Sequence, residues 1–261
     1  MAAMNDQGQV HYRCDGAVAH IVFDRPAARN AMTWAMYEGL AAACRQAAAD
    51  GARVAVFRGA GGKAFIAGTD IAQFQSFNGG EDGIAYERKV SAYLGCVENL
   101  PMPTLAVVEG WAIGGGLAIA AVCDLRIATP GTRFGVPIAR TVGNCLSIEN
   151  IALLNAVFGV SRVKKMLLLA ENLGTDDALA AGFLSEVVVP DQLDARIAEL
   201  CARLADNAPI TMRVTKEAIR RLMQAGMPDG EDLVRETYAS HDFKEGVAAF
   251  VAKRPPAWSG T

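Results

Sequence analysis

The chain has 261 residues, of which 52% are hydrophobic and 20% charged, with 26 glycines. That apolar share supports one large α/β core and excludes a disordered chain. Its 25 Lys and Arg against 28 Asp and Glu leave a net charge of −3 without a basic block, so the electrostatic footprint of a nucleic-acid binder is missing.

Residues 10–14 and 17–24 alternate apolar and polar around Asp15-Gly16, which predicts an opening β-hairpin. Thr33 is a fitting N-cap for a helix over 34–49, and Asp50-Gly51 ends it before a strand over 53–58. A glycine-rich loop (59–68) and a mobile polar linker through Asn78-Gly79-Gly80 lead to a helix over 82–99. Pro101 and Pro103 set off a strand at 104–108. After Gly114, Gly115 and Gly116 a helix of small residues precedes a strand at 124–128. Helical periods follow over 144–158, 161–169 and 175–181, then a last strand at 186–189 and three or four closing helices. This alternation predicts a stacked α/β core with a helical C-terminal piece.

The stretch 110–123 carries no charge before its end, but it falls short of the ~20 residues a spanning helix needs and holds three glycines. No membrane span is expected. The first 16 residues lack a basic start followed by an apolar run, so a cytoplasmic protein is expected. Six cysteines without a CxxC pair argue against zinc and disulfide frameworks, and the three histidines form no HExxH. No GxSxG is present either.

Two loops, 63–71 and 109–118, each follow a strand and precede a helix. Glycine lets a ligand approach the main chain, and a helix N-terminus offers unpaired N–H groups, so such loops suit anionic oxygens. Ile119 stands where the dinucleotide fingerprint needs a small residue, and Gly61-Gly62-Lys63 lacks the remainder of a Walker A loop. Simple NAD or ATP binding is disfavoured.

The segments Arg25-Pro26-Ala27-Ala28-Arg29-Asn30-Ala31-Met32, Lys63 to Ile71, Glu109 to Gly116, Cys123-Asp124, and Asp242-Phe243-Lys244-Glu245-Gly246 with Lys253-Arg254-Pro255 resemble, in this order, the enoyl-CoA hydratase/isomerase (crotonase) family. The resemblance implies a crotonase-like spiral of stacked β-β-α units over 1–200 and a helical oligomerisation region over 201–261. A homotrimer or homohexamer is then expected, with an acyl-CoA or enoyl-CoA thioester as ligand. No permanently bound cofactor is implied, since coenzyme A enters with the substrate. The thioester carbonyl would lie between the main-chain N–H groups of Thr69 and Gly115, where donors stabilise an enolate by about 3 to 4 kcal/mol each. Adenine and pantetheine would run along Ala67, Thr69, Asp70, Ile71 and Ala72, and Phe243 and Lys244 would approach a neighbouring subunit's CoA site. Asp70 reads equally well as a helix cap.

The chain departs from the family pattern at two places. Hydratases of the family use two glutamates where this sequence has Ala118 and Ile138, and neither residue exchanges a proton. Some relatives carry an acid later, in the turn that here holds Cys145. Cys145 reads either as a nucleophile or acid with a lowered pKa, or as a small core residue. Arg140, Glu149 and Glu87 read as surface or subunit-contact residues and His241 as a solvated helix end. Trp111 and Phe65 read as tunnel lining or plain core. The leading expectation is an enzyme acting through an enolate held by Thr69 and Gly115, with hydration in doubt. The alternatives are isomerisation or thioester hydrolysis at Cys145, or a non-catalytic acyl-CoA binder.

Overall fold

The computed structural model describes residues 7–261, so the first residues behind the reading of the N-terminus lie outside it. Strands β1 (Gln9–Asp15) and β2 (Val18–Asp24) form the expected hairpin. From β2 onward the strands add in parallel: β3 (Val54–Gly59), β4 (Thr104–Val108), β6 (Leu125–Ala128) and β8 (Glu186–Val187). The order β1-β2-β3-β4-β6-β8 means that every parallel connection crosses over through helix, which covers the sheet on its faces. All residues of β4 are buried, and of β3 only Arg58 is partly exposed. This is the signature of strands with both faces packed.

A second, smaller layer was not legible in the sequence. Strands β5 (Trp111–Ile113) and β7 (Arg133–Gly135) pair in parallel, and isolated bridges join Met32 to Thr69, Ile66 to Ala112 and Phe134 to Leu173. Three-residue strands are too short to display an alternation. Most turns of the chain place one strand in the large sheet, a short piece in this layer, and then a helix. The repeated β-β-α unit is therefore present.

Helices α1 (Trp34–Ala49), α2 (Gly80–Glu98) and α3 (Gly115–Val122) pack in the main core, whereas α8 (Pro190–Asp206) covers Val54, Val56, Leu105 and Val107 on the opposite face. Thr33 caps α1 as expected, its hydroxyl accepting the Met36 N–H at 3.2 Å. A division at 200/201 falls inside α8, whose Cys201 is buried against the sheet.

The linker expected to be polar and irregular contains a regular turn of helix. Residues Ile71–Ser76 form a 3-10 helix capped by Asp70, and Phe74 is buried. The helix expected from 144 begins only at Ile148, because Ser147 caps α5 (Ile148–Phe158). A short α4 (Ile138–Thr141) and the extended stretch from Gly143 (φ +71) precede it. After α6 (Val160–Leu168) and α7 (Thr175–Ala180), the chain ends in α9 (Pro209–Gln224), α10 (Glu231–Ala239) and α11 (His241–Val251).

These last helices do different work. Helix α9 buries none of its residues and exposes Ile210, Val214, Ile219 and Leu222. Helices α10 and α11 fold back on their own chain, over α2 and the Ile71–Ser76 turn. Among the described residues no helix is long and apolar enough to cross a membrane.

Candidate active site

The motif around Arg25 to Met32 acts as a clamp. Asn30, fully buried with φ +59, accepts the Arg25 N–H at 2.9 Å and donates to the carbonyls of Ala60 (3.0 Å) and Ala64 (2.8 Å). It thereby fixes the loop after β3. In the Met32–Thr69 bridge, the Met32 N–H donates to Gly68 O and the Asp70 N–H donates to Met32 O, both at 2.9 Å. The bridge uses the groups on either side of Thr69, so the Thr69 N–H faces the other way. Among the described residues it meets no acceptor.

The second loop is held against the first by main-chain bonds. The Ile66 N–H donates to Trp111 O at 3.1 Å, the Ile113 N–H to Ile66 O at 3.0 Å, and the Gly114 N–H to Gly135 O at 2.9 Å. A Cβ on Gly116 would stand 2.2 Å from Ile66 O, so only glycine permits this approach. Gly114 (φ +53) turns the chain into α3, where Gly115 is the first residue and its N–H has no acceptor among the described residues. A Cβ built on Gly115 would lie 3.0 Å from the Thr69 hydroxyl oxygen. The two free donors thus come from adjacent pieces of chain.

A cavity of about 180 Å³ opens on both loops. Thr69, Gly115, Ala67 and Ile71 line it, and so do Ala118 and Ile138, the two positions without a proton to give. The Thr69 hydroxyl belongs to a buried phenol network, 2.9 Å from Tyr37 Oη and accepting from Tyr86 Oη at 3.3 Å. Burial pushes the Tyr37 phenol up to about 12.

The cavity wall also carries a carboxyl group. Glu87 of α2 is 5% exposed; its Oε1 accepts the Tyr238 hydroxyl of α10 at 2.9 Å, and its Oε2 accepts the Ser147 N–H at 3.1 Å. Asn144 donates to the Tyr238 hydroxyl at 3.2 Å, which leaves the phenol proton for Glu87. Burial raises the Glu87 carboxyl to about 7, although Tyr238, Ser147 and Asn150 hold it lower than burial alone would. Glu87, Asn144 and Asn150 all face the cavity. The expectation that Glu87 is a surface or subunit-contact residue is corrected here. The sequence did contain a signal: Glu87 continues the buried face of α2 made by Gly83, Ile84, Val90 and Leu94.

Cys145 is not brought to the cavity. In the extended stretch before α5, Asn144 and Leu146 face inward while the Cys145 thiol turns toward Leu233 O of α10, 3.9 Å away. Burial pushes this thiol up to about 11, the reverse of the activation that the sequence suggested.

Asp70 both caps Ala72 N–H (3.1 Å) and pairs with Arg25 (2.9 Å), and Ala72 itself is exposed. Phe243 is fully buried against Phe74, Phe77 and Tyr238 of its own chain, so it is not free to contact a neighbour's ligand. Lys244 is exposed. Phe65 is core, edge-on to Phe23, and neither it nor Trp111 lines the cavity.

A β-β-α spiral with glycine loops meeting at one pocket defines the class of protein. Residues 13–261 match the enoyl-CoA hydratase/isomerase family. A short-chain-enoyl-CoA hydratase of Clostridium acetobutylicum is 32% identical over 92% of this chain and 93% of its own length. Among solved structures, an enoyl-CoA hydratase/carnithine racemase of Magnetospirillum magneticum is 32% identical over 98% of both chains, with a TM-score of 0.78. A methylmalonyl-CoA decarboxylase in complex with 2-nitronate-propionyl-CoA reaches a TM-score of 0.89 at 26% identity, over 97% of this chain and 99% of that one. The chain belongs to the enoyl-CoA hydratase/isomerase family.

Proposed function

We propose that this protein is an enzyme that binds an acyl-CoA or enoyl-CoA thioester in the described cavity and stabilises its enolate between the N–H groups of Thr69 and Gly115. The observation that carries this reading is the pair of unpartnered main-chain donors on adjacent loops of one pocket. Main-chain N–H groups left without a protein acceptor at a helix start suit an anionic oxygen, so this pair fits an incoming thioester carbonyl. Each donor aimed at a developing oxyanion contributes about 3 to 4 kcal/mol. The reaction calls for no resident cofactor, because coenzyme A arrives with the substrate.

Water addition is not the favoured reaction, because Ala118 and Ile138 provide neither acid nor base. Ala67 and Ile71 are placed to flank the pantetheine arm, beside the capped turn that begins at Asp70. The apolar face of α9 suits assembly into a homotrimer or a pair of trimers, and light scattering that found only monomer would reject this part. Six free thiols accord with a reducing compartment such as the cytoplasm.

Difference infrared spectroscopy of bound butyryl-CoA tests the central claim. The thioester carbonyl band should move to lower frequency on binding, and Gly115→Pro should abolish the shift. An unshifted carbonyl on the bound ligand would reject the oxyanion hole. Crotonyl-CoA should be hydrated far more slowly than the ~10 per second typical of enzymes.

A further inference from the structure

We propose that Glu87 is the proton carrier of this site, exchanging a proton with the carbon next to the thioester carbonyl. The proposal rests on the thioester reading above and adds the group that moves the proton.

The geometry comes first. Consecutive residues of α2 line the pocket: Tyr86 hydrogen-bonds Thr69, and Glu87 stands in the cavity wall beside the start of α5. A ligand whose carbonyl oxygen meets Thr69 and Gly115 therefore shares one cavity with Glu87. Asn144 Oδ1, also in that wall, is buried without a hydrogen-bond partner, which marks polar capacity left for a guest.

A buried carboxyl with no cation is costly to keep for structure alone. The groups facing Glu87 are Tyr86 on its own helix, Tyr37 of α1, Tyr238 of α10, Cys145 before α5, and Glu149 on α5. The phenols and the thiol are pushed up by burial and stay neutral, while the exposed Glu149 only opposes a charge on Glu87. The carboxyl is therefore poised between its two forms near neutrality, where a general base is most effective.

The step balances without a further reactant. The Glu87 carboxylate takes the proton from the α carbon and becomes the neutral acid; the C–H electron pair forms the enolate C=C, and the charge rests on the thioester oxygen held by the two N–H groups. Reversal returns the proton to carbon and restores the carboxylate. Tyr238 acts as a positioning residue, since its hydroxyl holds Oε1 and favours the charged form.

The experiment is α-hydrogen exchange of butyryl-CoA in D2O, read by mass spectrometry, with the carbonyl infrared shift measured on the same samples. The wild type should incorporate deuterium at a rate that rises with pH through about 7. Glu87→Gln should lose about 100-fold or more while keeping the carbonyl shift. Glu87→Asp should recover part of the rate, which guards against a folding artefact in the glutamine variant. Tyr238→Phe should move the pH midpoint upward, because it removes a donor to the carboxylate. A polarised carbonyl with exchange absent in the wild type, or equal in Glu87→Gln, overturns the proposal alone. A carbonyl that never shifts overturns the thioester reading and this proposal with it.

Discussion

The Cβ that Gly83 lacks would stand 2.2 Å from a ring carbon of Tyr238, so α10 lies against α2 at a distance that only glycine allows. Gly83 precedes Glu87 by one helical turn, and this close approach is what delivers the Tyr238 hydroxyl to the carboxyl. Gly83→Ala should push the ring away. We expect a destabilisation of about 1 to 3 kcal/mol from overpacking, together with a raised pH midpoint for exchange as the phenol leaves Oε1. Urea unfolding and the exchange profile check this, and an alanine variant with both unchanged would show that α10 gives way freely.

Glu87 also imposes a pH dependence on stability. Its folded value of about 7 lies above the ordinary 4.5, so the folded protein holds this proton more tightly. The resulting stabilisation is complete below pH 4.5 and is lost as pH rises through about 7, a fall of about 3 kcal/mol over the interval. Unfolding free energies of wild type and Glu87→Gln, compared at about pH 5 and about pH 8, should therefore diverge by most of that amount. Parallel profiles would mean that the carboxyl titrates in its ordinary range.

At Thr69 the main chain and the side chain have separable roles. Thr69→Ala keeps the N–H but deprives the buried Tyr37 and Tyr86 hydroxyls of their shared partner, at a cost of about 1 to 3 kcal/mol in stability. Turnover should stay near that of the wild type. Gly115→Pro removes a donor and should abolish turnover, and Gly115→Ala, which adds the same Cβ near Tyr37 and Thr69 but retains the N–H, separates lost hydrogen bonding from crowding. Loss of turnover in Thr69→Ala with an unchanged melting curve would assign chemistry to the hydroxyl.

Cys145 should be a slow thiol. Burial pushes it up to about 11, and its sulfur faces α10 instead of the cavity, so little thiolate exists at neutral pH. Peptide mapping after brief iodoacetamide treatment should find Cys145 largely unmodified, and Cys145→Ser should retain turnover. Rapid alkylation that butyryl-CoA blocks would return the thiol to the active site.

Features that depend on local stretches of chain were legible in the sequence. The hairpin at Asp15-Gly16, the Thr33 cap and the two glycine loops follow from backbone preferences acting over a few residues, and the motifs from Arg25 to Met32 and from Glu109 to Gly116 carried the family with them. The absence of acids at 118 and 138 was equally plain, because a residue's chemistry is written in its identity. The rest was decided by contacts between distant parts of the chain. Glu87 meets a helix cap 60 residues away and a phenol 151 residues away. The spacing along α2 puts Glu87 on the helix's apolar face, but it does not show that this face meets a ligand cavity. Cys145 failed for the same reason in reverse: its place near a helix start was visible, but the alternation that turns Asn144 and Leu146 inward and the thiol outward depends on the packing of α10. Burial, and the proton affinity that burial sets, exist only once the tertiary structure has removed the water.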